Sequence, residues 1–417
     1  MINESEMKTK ELTSNSIHAA LLLFLAVLVF SVSSCSNNVG DEDLKPKYIF
    51  LFIGDGMGST NVSMAESYLS YKAGKIGGEQ LTFTEFPVLG AADTYSANKH
   101  ITCSSAAGTA ISCGVKTNNK YLGVDTDGKP VENISEKLKK EGYKIGILTT
   151  VPINHATPAA FYAHNKNRND YYNISTTIPV TGFEFFGGNG FLQYYGKKGD
   201  KQAITEYLEE NGSTVCFGKE EFEARRCNAS QMVYCQPGSK DKSASDYSAA
   251  KTASIDCSLA EMTEMCLDFL GNGKEPFFIM CEGGKIDWTA HAHKTYGMIE
   301  DILEFNDAVN IAYEFYRKYP EETLIVVTAD HETGGATLGG SDDSKRGASI
   351  KWDLIEAAKE KELSEEENRM LNDDANIGWA TKGHAGGPVP VYAIGKGAEK
   401  FAGRIDNTDI NKLILCE

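Results

Sequence analysis

Short apolar runs along the chain have the pattern of buried β-strands. Each run is apolar at consecutive positions instead of alternate ones, and glycine or a charged residue lies at or near its end. This pattern is typical of parallel strands that are covered on both faces. The runs are YIFLFIG from Tyr48, KIGILTT from Lys144, PFFIMCEGG from Pro276, TLIVVTADH from Thr323 and VPVYAIG from Val389.

Segments between these runs have apolar residues at helical spacing. VENISEKLKKEG from Val131 and MIEDILEFNDAVNIAYEFYRKY from Met298 are clear examples. Strands that alternate with helices predict an α/β fold, with a doubly wound, mostly parallel central sheet and helices on both faces.

Two segments interrupt this alternation. Residues 195–250 are polar and contain cysteines, and residues 339–379 carry an acidic, helix-like run. We expect both to be insertions at the rim of the sheet, within a single large domain of residues 47–417.

The amino-terminal segment has the three regions of an export signal. Lys8 and Lys10 precede an apolar run that begins at Ile17 and ends in small residues before Cys35. The run is too short and wrongly flanked for a membrane span, so residues 1–34 are predicted to be a signal peptide; the alternative is an uncleaved signal anchor. Because VSSC resembles a bacterial lipobox, we expect Cys35 to carry a lipid and residues 35–46 to form a polar tether. The protein would then lie in the cell envelope, either periplasmic or surface-exposed.

Composition narrows the range of partners. The 417 residues are 41% hydrophobic, which is enough for a large core, and the net charge is −17. This acidity argues against a nucleic-acid partner, because phosphate backbones attract surplus Lys and Arg. Nine of the ten cysteines follow Cys35, so at least one of these nine is unpaired. Their pairing stays open, although Cys216, Cys227 and Cys235 are the best placed to staple a loop.

Acidic residues follow or end three of the predicted strands. Asp55 follows the first run, Glu282 ends PFFIMCE, and the pair Asp330 and His331 ends TLIVVTADH. One such aspartate alone is as often a turn former or a helix cap. Because ligands of parallel sheets bind beyond the carboxyl ends of the strands, the three ends together predict a functional crevice.

Histidines supply the ligands for a metal centre near this crevice. In KIDWTAH, Asp287 and His291 are four residues apart, so on a helix they share one face and can bind one ion. His384, in the glycine-rich GHAGGP, would complete a zinc-like site with an open position. A second group lacks one ligand: it comprises Asp55, Asp330 and His331.

Most of these residues lie in seven short motifs, which follow one another along the chain: GDGMG, CSSAAGTA, GVKT, ATPAA, EGGKID, TADHETGG and GHAGG. From Tyr48 onward the chain thus resembles the alkaline phosphatase family. In that family the nucleophile precedes a Thr-Ala pair by five residues, which selects Ser104 and not its neighbour Ser105. Small neighbours would leave the hydroxyl accessible to a phosphoryl group, although a helix packed tightly on the sheet explains the alanines equally well.

The resemblance implies two zinc ions and a third ion, usually magnesium. Arg168 matches the arginine that clamps phosphate in the family, where its planar fork suits two oxygens. The implied ligands are Asp287, His291 and His384 for the first ion, Ser104, Asp55, Asp330 and His331 for the second, and Asp55, Glu282 and Thr157 for the third.

Three residues depart from the family pattern. Cys103 precedes the nucleophile where the family commonly has an aspartate that helps to position the arginine. His155 and Trp288 stand, near the third ion and the phosphate, where the best-known bacterial form has Asp and Lys. These three differences leave open which ion occupies the third position and at which pH the activity implied by the resemblance is highest.

The resemblance implies hydrolysis of phosphate monoesters, through a phosphoserine intermediate and with an alkaline optimum. It also implies broad specificity for small phosphorylated substrates and a homodimer. Two alternatives remain: a phosphodiesterase or sulfatase of the same fold, and a surface lipoprotein that binds metal or phosphate without catalysis. The sulfatase is disfavoured because the chain lacks a Cys/Ser-x-Pro-x-Arg pattern.

Overall fold

The computed structural model describes residues 45–240, 257–339, 349–359 and 361–417. The predicted signal peptide, Cys35 and nearly all of the predicted tether lie outside the described residues. Within the described ranges, no helix is long and apolar enough to cross a membrane.

The strands of the described residues are β1 Tyr48–Gly54, β2 Val88–Asp93, β3 Lys144–Thr149, β4 Phe185–Gly188, β5 Thr214–Phe217, β6 Met232–Cys235, β7 Phe277–Gly283, β8 Thr323–Ala329, β9 Glu332–Thr333, β10 Ala336–Leu338, β11 Ile377–Trp379, β12 His384–Ala385, β13 Val389–Gly395 and β14 Gly403–Asp406.

Ten of these strands form a central sheet, in the order β14-β2-β13-β8-β1-β7-β3-β4-β6-β5. Every paired strand in this sheet runs parallel to its neighbour except β13, which is antiparallel to both β2 and β8. The remaining strands form two small two-stranded sheets, β10 with β11 and β9 with β12.

Helices connect the strands. The α-helices are α1 Ser59–Lys72, α2 Ser104–Cys113, α3 Ile134–Lys140, α4 Ala156–Ala159, α5 Tyr171–Ser175, α6 Ile204–Glu210, α7 Lys219–Arg225, α8 Leu259–Phe269, α9 Lys285–His291, α10 Thr295–Tyr316, α11 Trp352–Glu356, α12 Glu365–Asp374 and α13 Asp409–Leu415. Short 3-10 helices lie at Thr82–Glu85, Ile178–Val180, Arg226–Asn228, Pro237–Ser239 and Ala398–Phe401.

The central strands are buried on both faces. All seven residues of β1 are buried. On one face Phe52 packs edge-on against Phe305 of α10, with ring centroids 5.8 Å apart. On the other face Phe278 of β7 stacks on Phe161, which follows α4, at 6.4 Å. Helical segments therefore cover both sides, which confirms the predicted doubly wound α/β architecture and explains why these strands have no polar alternation.

The five predicted strands are confirmed as β1, β3, β7, β8 and β13, and the two clearest helical segments form α3 and α10. The region 195–250 differs from expectation, because it contributes β5 and β6 to one edge of the central sheet instead of forming only a rim insertion. From 339–379, the structure places α11, α12 and β11 outside that sheet.

The predicted cysteine staple is absent. The nine cysteines of the described residues are all free thiols. Cys216 and Cys235 are buried on β5 and β6, whereas Cys227 is exposed. Cys216 and Cys235 therefore pack in the buried interior of the sheet, and neither forms a disulfide.

Candidate active site

The site lies at the edge of the sheet where the parallel strands end. β1 and β8 are in register at Gly54 and Ala329, so Asp55 and Asp330 follow at the same level. Glu282 pairs with Ile53 one residue earlier. His384 reaches this edge because it precedes β13, whose reversed direction brings its amino end to the carboxyl ends of its neighbours. The predicted convergence of strand ends is thus present in the structure.

The first group of predicted ligands comes together around Asp287. Its Oδ1 lies 3.3 Å from His291 Nε2 and 3.8 Å from His384 Nε2. His291 Nδ1 lies at hydrogen-bond distance from the carbonyl of Lys382, and His384 Nδ1 lies 2.9 Å from that of Thr102. If each Nδ1 carries the proton and donates it, both Nε2 lone pairs face the same space, as ligation requires.

The second group surrounds His331. His331 Nε2 lies 3.2 Å from Asp330 Oδ2 and 3.5 Å from Asp55 Oδ1. Ser104, the first residue of α2, places its Oγ 3.3 Å from the same nitrogen. His331 also stacks on His384 with ring centroids 3.6 Å apart, so the first two groups adjoin.

The third group contains one more potential ligand than the sequence predicted. Thr157 Oγ1 donates to Asp55 Oδ2 at 3.3 Å, as expected for residues around one ion. Ligand atoms of Asp55, His155 and Glu282 also lie within 4.8 Å of one another. The sequence places His155 only beside this group, whereas in the structure its imidazole lies among the potential ligand atoms.

Buried polar atoms in the second and third groups fit metal ions. Asp55 Oδ1, Glu282 Oε1 and Asp330 Oδ2 have no hydrogen-bond partner, and neither does His155 Nδ1. Asp55, Glu282 and Asp330 are wholly buried. Leaving such oxygens unpaired is unfavourable, whereas divalent cations would satisfy them, so the donor set suits metal binding.

Arg168 lies beside the third group. Its guanidinium Nη2 is 3.3 Å from His155 Nε2, and the His155 ring packs edge-on against Trp288 with ring centroids 5.7 Å apart. Burial, with the positive charge of Arg168, lowers the pKa of His155 to about 3, so its imidazole is neutral. Arg168, His155 and Trp288 therefore lie together, as the family resemblance implied.

Comparisons with known proteins decide the family. The alkaline phosphatase family model matches residues 46–184 and 185–416. The chain belongs to the alkaline phosphatase family. It is 32% identical to alkaline phosphatase 4 of Bacillus subtilis, over 88% of this chain and 87% of that protein, and 31% identical to alkaline phosphatase 3 of the same organism, over 90% and 89%.

Solved alkaline phosphatases share the fold. The enzyme from the Antarctic bacterium TAB5 superposes with a TM-score of 0.72 at 30% identity, covering 89% of this chain and 97% of that chain. A mutant of the TAB5 enzyme with Mg bound in its M3 site matches with the same TM-score, identity and coverage. The chain is therefore an alkaline phosphatase by family, and its enzymatic activity is hydrolysis of phosphate monoesters.

The carboxylates of this alkaline phosphatase have unusual pKa values. Burial, together with neighbouring carboxylates, raises the pKa of Glu282 to about 8 and that of Asp330 to about 7. The same two causes raise the pKa of Asp55 well above its ordinary value. Burial would also raise the pKa of Asp287, but a hydrogen bond from His291 and the nearby imidazoles outweigh it and lower that pKa.

The raised pKa values predict how pH affects the metal-free enzyme. Between about pH 7 and about pH 9, folded Glu282 and Asp330 bind more protons than the unfolded chain does, so the free energy of unfolding falls as pH rises. At lower pH this trend is opposed by His155, His331 and His384, whose pKa values burial lowers, because the unfolded chain binds more protons at these three residues. Bound cations would remove this dependence by stabilising the ionised carboxylates. Thermal unfolding of chelated and of zinc- and magnesium-loaded protein across this range checks it. Equal pH slopes for the two forms would contradict the prediction.

Several residues that hold the ligands in this alkaline phosphatase were missed from the sequence. Thr149, at the end of β3, hydrogen-bonds Glu282 Oε2, and Thr333 donates to Asp287 Oδ1 at 2.5 Å. Gly56 has φ 72°, and a Cβ there would lie 2.8 Å from Thr333 Oγ1, so glycine leaves room for this contact. Thr333 lies in TADHETGG and Thr149 ends KIGILT, which was the signal available.

Proposed function

We propose that this alkaline phosphatase hydrolyses small phosphate monoesters of broad specificity through a phosphoserine at Ser104, with an alkaline optimum. The observation that carries the proposal is the position of the Ser104 hydroxyl. Ser104 is the first residue of the buried helix α2, and its Oγ lies 3.3 Å from His331 Nε2. Because His331 stacks on His384, this hydroxyl lies where the first and second groups of ligands adjoin. A binding protein would have no use for a hydroxyl at that point.

We propose two zinc ions and one magnesium ion, or another divalent ion in the third position. The proposed ligands are Asp287, His291 and His384 for the first ion, Ser104, Asp55, Asp330 and His331 for the second, and Asp55, Glu282 and Thr157, joined by His155, for the third. Imidazole and carboxylate donors suit zinc, and the oxygens of the third group suit magnesium. Such ions, when bound, neutralise phosphoryl charge and lower the pKa of an oxygen that they coordinate.

The residues of the chain then perform two steps. Ser104 Oγ forms a bond to phosphorus as the bond from phosphorus to the alcohol oxygen breaks, and the alcohol leaves with a proton. Water adds to the phosphoserine in the second step, which releases inorganic phosphate and returns a proton to Ser104. Arg168 holds two phosphoryl oxygens throughout with its planar fork. Inorganic phosphate is therefore expected to inhibit the enzyme as a product.

Replacing Arg168 tests the phosphate clamp. Arg168→Ala is expected to raise KM and the inhibition constant for inorganic phosphate by roughly 10- to 100-fold, because two charge-assisted hydrogen bonds are lost. Arg168→Lys keeps the charge without the fork and should fall in between. Lys166→Ala, on an exposed residue of the same loop, is the control. Unchanged phosphate inhibition in Arg168→Ala would remove Arg168 from the proposed site.

A comparison of esters tests the proposed reaction against its alternatives. The metal-loaded protein should hydrolyse nitrophenyl phosphate much faster than bis-nitrophenyl phosphate or nitrophenyl sulfate, because Arg168 and the cations favour a dianionic group. Preference for the diester would favour a phosphodiesterase, and preference for the sulfate would favour a sulfatase. Stoichiometric phosphate binding without turnover of any ester would favour a binding protein.

We also propose export to the cell envelope, periplasmic or surface-exposed, with a lipid on Cys35 and assembly as a homodimer. The support for the anchor is the charged, apolar and small-residue order of residues 8–35. Incorporation of labelled fatty acid that is lost in Cys35→Ala would support the anchor, and unlabelled wild-type protein would contradict it. Light scattering of the purified protein tests the dimer: the mass of two chains would support it, and the mass of one chain would contradict it.

A further inference from the structure

The contacts of Cys103 lead to Arg168 by an indirect route. Cys103 Sγ accepts a hydrogen bond from the backbone N–H of Lys120 at 3.2 Å. The carbonyl of Lys120 in turn accepts one from the backbone N–H of Arg168 at 2.9 Å. One residue, Lys120, therefore connects the start of α2, which carries Ser104, to the backbone of Arg168.

Lys120 has an unfavourable backbone conformation. Its φ is 75°, in the left-handed region that residues with a side chain rarely adopt. Such a conformation persists only where surrounding contacts hold it. Here Cys103 and Arg168 hold both backbone polar groups of Lys120, and the preceding Asn119 accepts from the backbone N–H of Cys103 at 3.2 Å.

The Asn119 side chain makes a second hydrogen bond that fixes the segment before Lys120. Asn119 Nδ2 donates to the carbonyl of Ile101 at 3.0 Å, so Asn119 links the residues just before α2 to Lys120. The guanidinium of Arg168 meets His155 Nε2 at 3.3 Å. The backbone of Arg168 is thus set by Lys120, while its head group points to the third group of ligands.

We propose that Cys103 is a positioning residue for Arg168. Its thiol holds Lys120 in the left-handed conformation, and Lys120 fixes the backbone from which the Arg168 guanidinium reaches a phosphoryl group. A direct side-chain pair with the arginine is then unnecessary. This inference rests on the proposed function, because it assigns Arg168 to phosphate.

Substitutions at Cys103 test the route. Cys103→Ala removes the acceptor and should raise KM for nitrophenyl phosphate and the inhibition constant of inorganic phosphate by on the order of tenfold, with a smaller change in kcat. Cys103→Ser keeps an acceptor and should stay within about threefold of wild type. Cys227→Ser, which replaces an exposed thiol outside the site, is the control and should change neither constant.

A double-mutant cycle distinguishes positioning from a merely structural effect. If the thiol acts through Arg168, Cys103→Ala has no further effect in an Arg168→Ala background. The same loss in both backgrounds, or an unchanged Cys103→Ala enzyme, overturns the inference. If Cys103→Ala fails to fold, Asn119→Ala loosens the same segment and is judged by the same cycle. A wild-type protein that hydrolyses no monoester overturns the proposed function as well, whereas an active wild type with an unchanged Cys103→Ala overturns this inference alone.

Discussion

Ser104→Ala is expected to lower the turnover of nitrophenyl phosphate by at least about 10³-fold, because the proposed reaction has no other group at the point of attack. The Ser104 hydroxyl lies 3.3 Å from His331 Nε2. The alanine is small and begins the same helix, so the variant should fold and keep its metal. Steady-state kinetics and metal analysis of the same preparation measure both effects.

Ser105→Ala is the matched control, since the two serines are adjacent in α2. The hydroxyl of Ser105 lies 3.3 Å from Cys103 Sγ, and no contact places it beside the ligand histidines. Its removal should therefore leave most of the turnover. Full activity in Ser104→Ala, or greater loss in Ser105→Ala, would show that the nucleophile is assigned wrongly.

Asp55→Asn is expected to have the second largest effect, because Asp55 belongs to both the second and the third group of ligands. The variant should lose metal from both and lower turnover by roughly 10²-fold or more, since the charge of a shared ligand disappears. Metal content per chain and turnover with added zinc and magnesium test this. Asp307→Asn, on an exposed residue of α10, is the control.

The same substitution should stabilise the metal-free protein against unfolding. Burial and neighbouring carboxylates disfavour the ionised form of Asp55, so an uncharged amide at that position avoids the cost of burying a charge and relieves repulsion once the cations are removed. Chelated Asp55→Asn should therefore unfold at a higher temperature than chelated wild type above about pH 7. A variant with wild-type metal content and turnover would contradict the assignment of Asp55.

The sequence was sufficient to predict the parts of the fold that have strong local patterns. Strands such as β1 are apolar throughout because both faces are covered, and their acidic ends mark the carboxyl edge of a parallel sheet. Asp55, Glu282 and Asp330 could be placed together on that ground alone. The family motifs then added Ser104 and Arg168, which no periodicity distinguishes from a packing serine and a surface arginine.

Other parts depend on tertiary contacts that leave little trace in sequence. β5 and β6 have only four residues each, too few to stand out in a polar region. The reversed direction of β13 follows from its pairing with β8 and not from its composition. The approach of His155 to the third group, and of Lys120 to Cys103, depends on loops that meet only in the folded chain.

Metal dependence of monoester turnover is the most direct test of a metal-assisted phosphomonoesterase. The purified enzyme is stripped with a chelator, and zinc, magnesium and cobalt are added back singly and in pairs, with metal content and nitrophenyl phosphate hydrolysis followed from about pH 6 to about pH 11. We expect no turnover without metal, restoration by zinc with a second ion, and a rise in rate at alkaline pH. Full turnover by the stripped enzyme, or bound metal without turnover of any monoester, would contradict the proposed function.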